Sequence, residues 1–190
     1  YGDNPKHLNI NSAGNVGIGT AEPTSPMTIS TTLDAADDAD IDKFALMIGN
    51  PADDTNEEIG IGFRISASQV ATTSPGGAIT FERTGSYSMG SLHLKTASAN
   101  NELATRMTIT SSGSVGIGAV PKVWNSGYDS LQIGKSGTMS SYSGADVDRM
   151  WVSANAYLHT DGTWKRILTD TASQHEQHSG VHNFYTAVSD

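Results

Sequence analysis

The chain has 190 residues, a formal net charge of −9 and a charged fraction of only 16%. The excess of 20 acidic over 11 basic residues argues against nucleic-acid binding and against electrostatic docking on an anionic membrane, and no apolar run is long enough to span one. The absence of cysteine and the 20 glycines favour a turn-rich all-β protein that is held together by packing rather than by disulfides.

The first predicted element is LNINSAGNVGIG at residues 8–19, and it returns 99 residues later as MTITSSGSVGIG at 107–118. Each copy has the pattern of a short strand, a turn that ends in glycine, and a second strand in which glycine alternates with Val or Ile. We expect a positive φ at Gly113, and we expect Gly116 and Gly118 to permit the close approach of another backbone.

An isolated hairpin of about a dozen residues is marginal in water, so each repeat needs a partner for its apolar face. We expect copies of the same chain to supply it, in a thin β-structured shaft; an ordinary hairpin in a monomeric β-domain is the alternative. The residues predicted to form the core between chains are Ile10, Val16, Ile18, Ile109, Val115 and Ile117.

A proline-containing connector at 20–26 leads to a short strand at Met27–Ile29. The acidic segment that follows contains Asp38-x-Asp40-x-Asp42, which resembles the start of a calcium-binding loop. Lys43 stands where a ligand or glycine is needed and no glutamate follows at the right distance, so a solvated acidic loop is the better interpretation.

Residues 44–95 predict a series of short strands, at 44–48, 59–65, 78–83 and 91–95. Alternation predicts buried faces formed by Ile59, Ile61, Phe63 and Ile65, by Ile79 and Phe81, and by Leu92 and Leu94. His93 is then expected on the polar face. Strands at this spacing argue for a small β-sandwich or β-prism-like layer inserted between the two repeats.

A strand is predicted at Leu131–Ile133 and a hairpin at 156–168, where Asp161-Gly162 suggests a two-residue type I′ turn. This turn would place Tyr157 opposite Arg166 and His159 opposite Trp164 on one face. That aromatic and cationic face is a candidate surface or receptor contact, and a packed cross-strand cluster is the structural alternative.

The histidines at 175, 178 and 182 follow the spacing H-x-x-H-x-x-x-H. If residues 171–177 were helical, His175 and His178 would share a face that is weakly compatible with a metal; surface histidines are the alternative. A final strand is expected at 181–186. We find no nucleophile or phosphate-binding motif, so we expect no catalytic residue, no metal site and no cofactor.

Three blocks carry a resemblance to a known family. The two repeats resemble the recurrent SSGNVGIGT-type unit of bacteriophage tail fibres and tailspikes, although Ala119-Val120-Pro121 departs from the threonine and later proline that usually follow it. GAITFERTGSYSMGSLHLKT at 77–96 and ANAYLHTDGTWKRILTDTASQHEQHSGVHNF at 154–184 resemble segments of the same proteins.

The resemblance implies an all-β, intertwined homotrimeric fibre with hairpin shaft repeats and inserted small β domains. The predicted segments are a first repeat and connector (1–30), an inserted domain (31–105), a second repeat (106–122) and a second small β domain (123–190), and the chain is expected to be part of a longer fibre.

The implied function is structural: a virion component, located on the extracellular tail fibre, that helps the virion adhere to its host. Expected partners are further copies of the chain, neighbouring tail or fibre proteins and, as a candidate, host surface polysaccharide. The alternatives are a fragment of a polysaccharide-degrading tailspike and a cellular trimeric adhesin or appendage.

Overall fold

The computed structural model describes residues 8–31, 44–52, 54–65, 75–99, 102–142, 144 and 148–187. These residues contain fifteen strands and no helix, so the predicted all-β class is confirmed. The chain divides into two compact units, Tyr1–Gly49 and Asn50–Asp190. The four segments predicted from the sequence stay a prediction. The acidic stretch from Asp34 to Asp42 lies outside the described residues.

The first unit contains a three-stranded sheet built from the first repeat. Its strands are β1 (Asn9–Ile10), β2 (Val16–Ile18) and β3 (Met27–Ile29). β1 and β2 form an antiparallel hairpin, and β3, predicted from the sequence, pairs with β2 in parallel. Residues 19–26 therefore cross over between two neighbouring parallel strands.

The second unit is dominated by one ten-stranded sheet. In chain order its first six strands are β4 (Glu58–Phe63), β5 (Gly77–Arg83), β6 (Gly90–Ala99), β7 (Glu102–Ile109), β8 (Val115–Ile117) and β9 (Tyr128–Ile133). The others are β10 (Gly137–Tyr142), β11 (Arg149–Ala154), β14 (Ala172–His178) and β15 (Val181–Ala187), and β12 (Ala156–Leu158) and β13 (Trp164–Arg166) form a separate hairpin. The order is β15-β14-β11-β10-β9-β8-β7-β6-β5-β4, antiparallel except between β8 and β9.

The second repeat has the same topology as the first, and it lies in the middle of this sheet. β7 and β8 are its hairpin, and β9 pairs with β8 in parallel as β3 does with β2. The turns also match: Gly14 N donates to Asn11 O and Gly113 N donates to Thr110 O, each at 2.9 Å. Both glycines have a positive φ, +83° and +85°, which confirms the prediction for Gly113.

The middle glycine of each repeat has its own chain folded against it. A Cβ on Gly17 would lie 2.5 Å from Thr20 O, and one on Gly116 would overlap Ala119 O and lie 2.7 Å from Pro121 Cδ. The predicted close approach at Gly116 is therefore confirmed, with the same chain as the source of the backbone. Gly118 differs, because nothing lies near the position that a Cβ would occupy. Glycine is favoured there because the backbone φ is +68°.

One strand prediction is wrong, and another strand is shorter than predicted. Residues 44–48 form no strand, and Phe44 and Leu46 remain more than half exposed, because an apolar run becomes a strand only where another strand supplies backbone partners. β4 is found, but it ends at Phe63, and Ile65 lies beyond it, fully exposed.

The predicted direction of burial is also wrong for the strands of residues 58–95. Ile79, Leu92 and Leu94 are about 40% exposed, whereas Thr80 and His93 on the opposite face are buried. Alternation identifies which residues share a face, but it does not show which face the rest of the chain covers. Here the polar side chains are covered.

Prediction for the middle glycine. We expect Gly116→Ala to lower the free energy of unfolding by about 1–3 kcal/mol, because the new methyl group would be forced against the carbonyl of Ala119. Gly76→Ala is the control, since its Cβ would find its nearest atom at 3.8 Å. Urea unfolding measures both, and equal midpoints for the two variants would contradict this account.

Candidate functional site

One face of the ten-stranded sheet carries an unbroken set of large apolar side chains, here called the aliphatic face. The first row runs across the strands as Ile59, Phe81, Leu92, Ile109, Val115, Leu131, Met139 and Val152. The adjacent row consists of Ile61, Ile79, Leu94, Met107, Ile117 and Ile133. His175 and Phe184 continue the first row onto β14 and β15.

No described part of the chain covers the aliphatic face. Ile61, Ile79, Leu94, Ile117 and Ile133 each keep 40–48% of their surface exposed. Nine strand spacings of about 4.8 Å make the full face roughly 43 Å across. Soluble monomers rarely expose a continuous apolar patch of such extent, and where one occurs it marks a contact surface.

The small sheet of the first unit has the same character. Ile10, Val16 and Met27 form one row across it, and Ile18 and Ile29 form the next. Ile10 and Ile18 are 64% and 37% exposed. All six residues predicted as a core between chains thus lie on an apolar sheet face: Ile10, Val16 and Ile18 on the small sheet, and Ile109, Val115 and Ile117 on the large one.

In both sheets, the segment that connects the two parallel strands lies on the face opposite the apolar one. In the first unit the amide of Asn9 donates to Ala21 O at 2.7 Å, and Pro23 is buried. In the second unit the backbone N–H of Lys122 donates to Gln132 Oε1 at 3.0 Å, and Pro121 is buried. Each crossover therefore covers the polar face of its own sheet.

The polar face is held together by hydrogen bonds between its side chains. His93 is 7% exposed; its Nε2 lies 3.0 Å from Glu82 Oε2 and its Nδ1 lies 3.1 Å from Thr108 Oγ1. Ser130 Oγ donates to Ser114 Oγ at 2.9 Å. His93 does project from the polar face, as expected, and its two partners account for its burial. Thr108 is only 2% exposed, so the hydrogen bond between it and His93 is shielded from water.

The predicted register of the β12–β13 hairpin is wrong by one residue. The observed pairs are Ala156 with Arg166, Tyr157 with Lys165 and Leu158 with Trp164. His159 N donates to Thr163 O, and Gly162 N donates to His159 O, which makes a three-residue loop. Gly162, at φ +80°, supplies the left-handed position that such a loop needs. The sequence Asp-Gly therefore ends this loop instead of forming its two central residues.

A one-residue shift moves side chains to opposite faces, so the proposed four-residue cluster is divided. Tyr157 and His159 face Trp124: the Tyr157 and Trp124 rings are 5.9 Å apart, and Trp124 forms a bridge with His159. Trp164 and Arg166 lie on the other face, and the Trp164 ring is 5.6 Å from that of Trp151. The structure does not bring the four side chains onto one surface, and their role as receptor contacts stays a prediction.

Asn155 fixes the hairpin to the sheet, and it was not identified from the sequence. Its φ is +62°, it is 5% exposed, and it lies between β11 and β12. Its side-chain oxygen accepts from Leu168 N at 2.7 Å, and its amide nitrogen lies 3.0–3.1 Å from the carbonyl oxygens of Leu168, Asp170 and Thr171. Asparagine is one of the few residues that enter the left-handed region readily. No strand was predicted directly before Asn155, so no sequence pattern identified this junction.

Glu176 is the buried carboxylate of this region, and it is 8% exposed. Tyr185 donates to its Oε2 at 2.8 Å, Asn183 donates to the same oxygen at 3.1 Å, and Arg149 Nε lies 3.4 Å from its Oε1. Burial by itself raises the pKa of Glu176. The hydrogen bonds from Tyr185 and Asn183, with the charge of Arg149, outweigh that effect and hold the pKa below its usual value.

The histidines are placed by strands and not by a helix. β14 spans residues 172–178, so the conditional expectation that His175 and His178 share a helical face is wrong, and they project from opposite faces of the sheet. His175 instead stacks on His182, with Nε2 2.9 Å from Nδ1, and on Phe184. Within the described part of the chain, no group of three or more His, Cys, Asp or Glu side chains could hold a metal ion.

Comparisons with models of known families and with curated proteins found no match for this chain. In the described ranges, no helix has the length and apolar character needed to cross a membrane.

Prediction for Asn155. We expect Asn155→Ala to cost about 2–4 kcal/mol, because it removes the side-chain hydrogen bonds and leaves an unfavourable positive φ. Asn155→Gly removes the same hydrogen bonds but tolerates the φ, so it should recover about 1 kcal/mol of that loss. Chemical denaturation gives both values. A glycine variant that is less stable than the alanine variant would rule out the role of the backbone conformation.

Prediction for the buried carboxylate. The pKa of Glu176 is lower in the folded state, so its stabilisation is present above the pKa of the unfolded chain and is lost as the pH falls through the folded pKa. Tyr185→Phe removes one donor, and we expect it to lower the free energy of unfolding at pH 7 and to lower it less below pH 4, where Glu176 becomes protonated. Unfolding free energies measured between pH 3 and 7 test this. Tyr87→Phe, at a 91% exposed site, should show no such pH dependence.

Proposed function

We propose that this chain is a structural segment of a homotrimeric bacteriophage tail fibre or tailspike. In this assembly the aliphatic faces of three copies pack together, and the segment contributes to the adhesion of the virion to its host. The observation that carries the proposal is the aliphatic face itself, a sheet-wide set of Ile, Leu, Val, Met and Phe side chains that the single chain leaves exposed.

The physical argument concerns burial. Removing apolar surface from water yields roughly 25 cal/mol for each Å² buried, and a row of half-exposed isoleucines and leucines retains much of this free energy for assembly. Interfaces between obligate partners resemble a protein core cut in half, which is how the aliphatic face is composed. The aliphatic face requires another surface to cover it. That the assembly contains three copies is inferred from the resemblance of the repeats to those of tail fibres.

The two repeats support an elongated assembly rather than one isolated contact. Both place apolar residues on one face and fold their crossover on the other, so successive units along a chain offer the same kind of surface to neighbouring copies. We propose an extracellular location on the virion, with neighbouring tail or fibre proteins as the other partners. In this role the chain is a scaffold and not an enzyme.

Prediction for assembly. We expect the purified chain to sediment at about three times its mass of 19.9 kDa at micromolar concentration. Leu94→Asp places a charge in the middle of the aliphatic face and should shift the species toward the monomer by at least tenfold in apparent affinity. Val123→Asp is the matched control, because Val123 is 70% exposed in the connection between β8 and β9.

Each result has a separate meaning. A folded wild-type monomer at micromolar concentration would overturn the proposal, and a species of twice the chain mass would replace the trimer by a face-to-face dimer. Circular dichroism of Leu94→Asp shows whether the variant keeps its β structure, so that loss of assembly is separated from loss of folding.

A further inference from the structure

A cleft of about 580 Å³ lies between the hairpin β12–β13 and the polar face of the sheet at β11, β14 and β15. This volume is within the range of small-molecule sites in proteins, about 300–1,000 Å³. Its lining includes Trp151, Trp164, Tyr185, Gln174, Glu176 and Arg166. The register explains the arrangement, because the hairpin face that carries Trp164 and Arg166 is the one directed into the cleft.

Aromatic rings form the apolar part of this lining. Trp164 keeps 38% of its surface exposed and packs at 5.6 Å against Trp151, which is itself buried. Trp151 is further fixed by the Tyr128 ring at 5.3 Å and by the Arg149 guanidinium, 5.6 Å from its ring centre. Tyr185, 49% exposed, lines the cleft from the sheet. The cleft is therefore lined by flat, pre-positioned apolar surface that water can reach.

Polar groups stand beside these rings. The Glu176 carboxylate is buried, and its lowered pKa keeps it ionised at neutral pH. It accepts hydrogen bonds from Tyr185 and Asn183 and pairs with Arg149, yet a carboxylate has about four acceptor positions, so one more donor can be accommodated. The side-chain nitrogen of Gln174 donates to Ser153 Oγ at 3.2 Å, and its side-chain oxygen can accept a further hydrogen bond.

We propose that this cleft binds a pyranose sugar. One side of a pyranose ring presents C–H groups that pack on an indole, while its edge presents vicinal hydroxyls that donate to a carboxylate or an amide oxygen. Trp164 would supply the stacking surface, and Glu176 and Gln174 the acceptors. The exposed indole beside a carboxylate distinguishes this site from a purely apolar groove.

The position of the cleft is compatible with the proposed assembly. Trp151, Glu176 and Tyr185 project from the polar face, opposite the aliphatic face, so a trimer built on the aliphatic face leaves the cleft accessible. In this respect the inference rests on the proposed function, since three outward clefts in one assembly would strengthen weak contacts by multivalency. The cleft itself is formed by one chain and does not need the trimer.

The test is titration of the full chain with methyl pyranosides of glucose, galactose, mannose and N-acetylglucosamine, followed by tryptophan fluorescence and by NMR of the indole N–H groups. We expect saturable millimolar binding of at least one of them. Trp164→Ala should weaken it at least tenfold, Glu176→Gln about fivefold, and Trp164→Phe, which keeps an aromatic ring, no more than threefold. Tyr87→Ala, at an exposed aromatic outside the cleft, should leave the affinity unchanged.

No saturable binding of any of these sugars up to 50 mM would overturn the inference, as would binding that Trp164→Ala leaves unchanged. Binding of a hydrophobic dye at the cleft without any sugar binding would also overturn it. Sedimentation of the same samples separates the two proposals: a monomer that binds sugar refutes the assembly, and a trimer that binds none refutes the cleft.

Discussion

The structure depends on the uneven covering of its sheets. Each crossover between parallel strands, residues 19–26 and 118–127, folds over the polar face and not over the apolar one. The glycine in the middle of each short strand makes this possible, because any side chain at Gly17 or Gly116 would displace the returning backbone. Burial of polar groups is offset by mutual hydrogen bonds, and the apolar face stays exposed in the single chain.

Much of the local structure could be predicted from the sequence. The repeat at 107–118 specified a hairpin with glycine in the left-handed region, and the observed φ of Gly113 agrees. The strands at 27–29, 131–133 and 181–186 were also predicted from short apolar or β-branched runs. In these cases turn chemistry and side-chain alternation act within a few residues, so the sequence contains the necessary information.

The remaining features depend on contacts between residues that are distant in the chain. Alternation grouped Ile79 with Phe81, but it could not show which face of their strand the rest of the chain covers, and Ile79 is 41% exposed. The β10 strand, rich in Ser and Gly, gave no apolar signal and is held between β9 and β11. The hairpin register followed from a three-residue loop whose last member is Gly162, and that one-residue difference split the candidate cluster between two faces. Asn155, which anchors this hairpin, is indistinguishable in sequence from any other asparagine.

The order of the strands has a consequence for how the chain acquires its structure. Nearly every strand of the large sheet pairs with its neighbour in sequence, and the hairpin β12–β13 is the sole interruption in the described order. Such nearest-neighbour pairing keeps loop-closure costs small and allows rapid folding. The longest fully described connection between paired strands of this sheet runs from β11 to β14, through residues 155–171, and it is shortened in effect by the hairpin β12–β13 that forms within it. The hairpin therefore lowers the loop-closure cost of the one pairing that is not between consecutive strands.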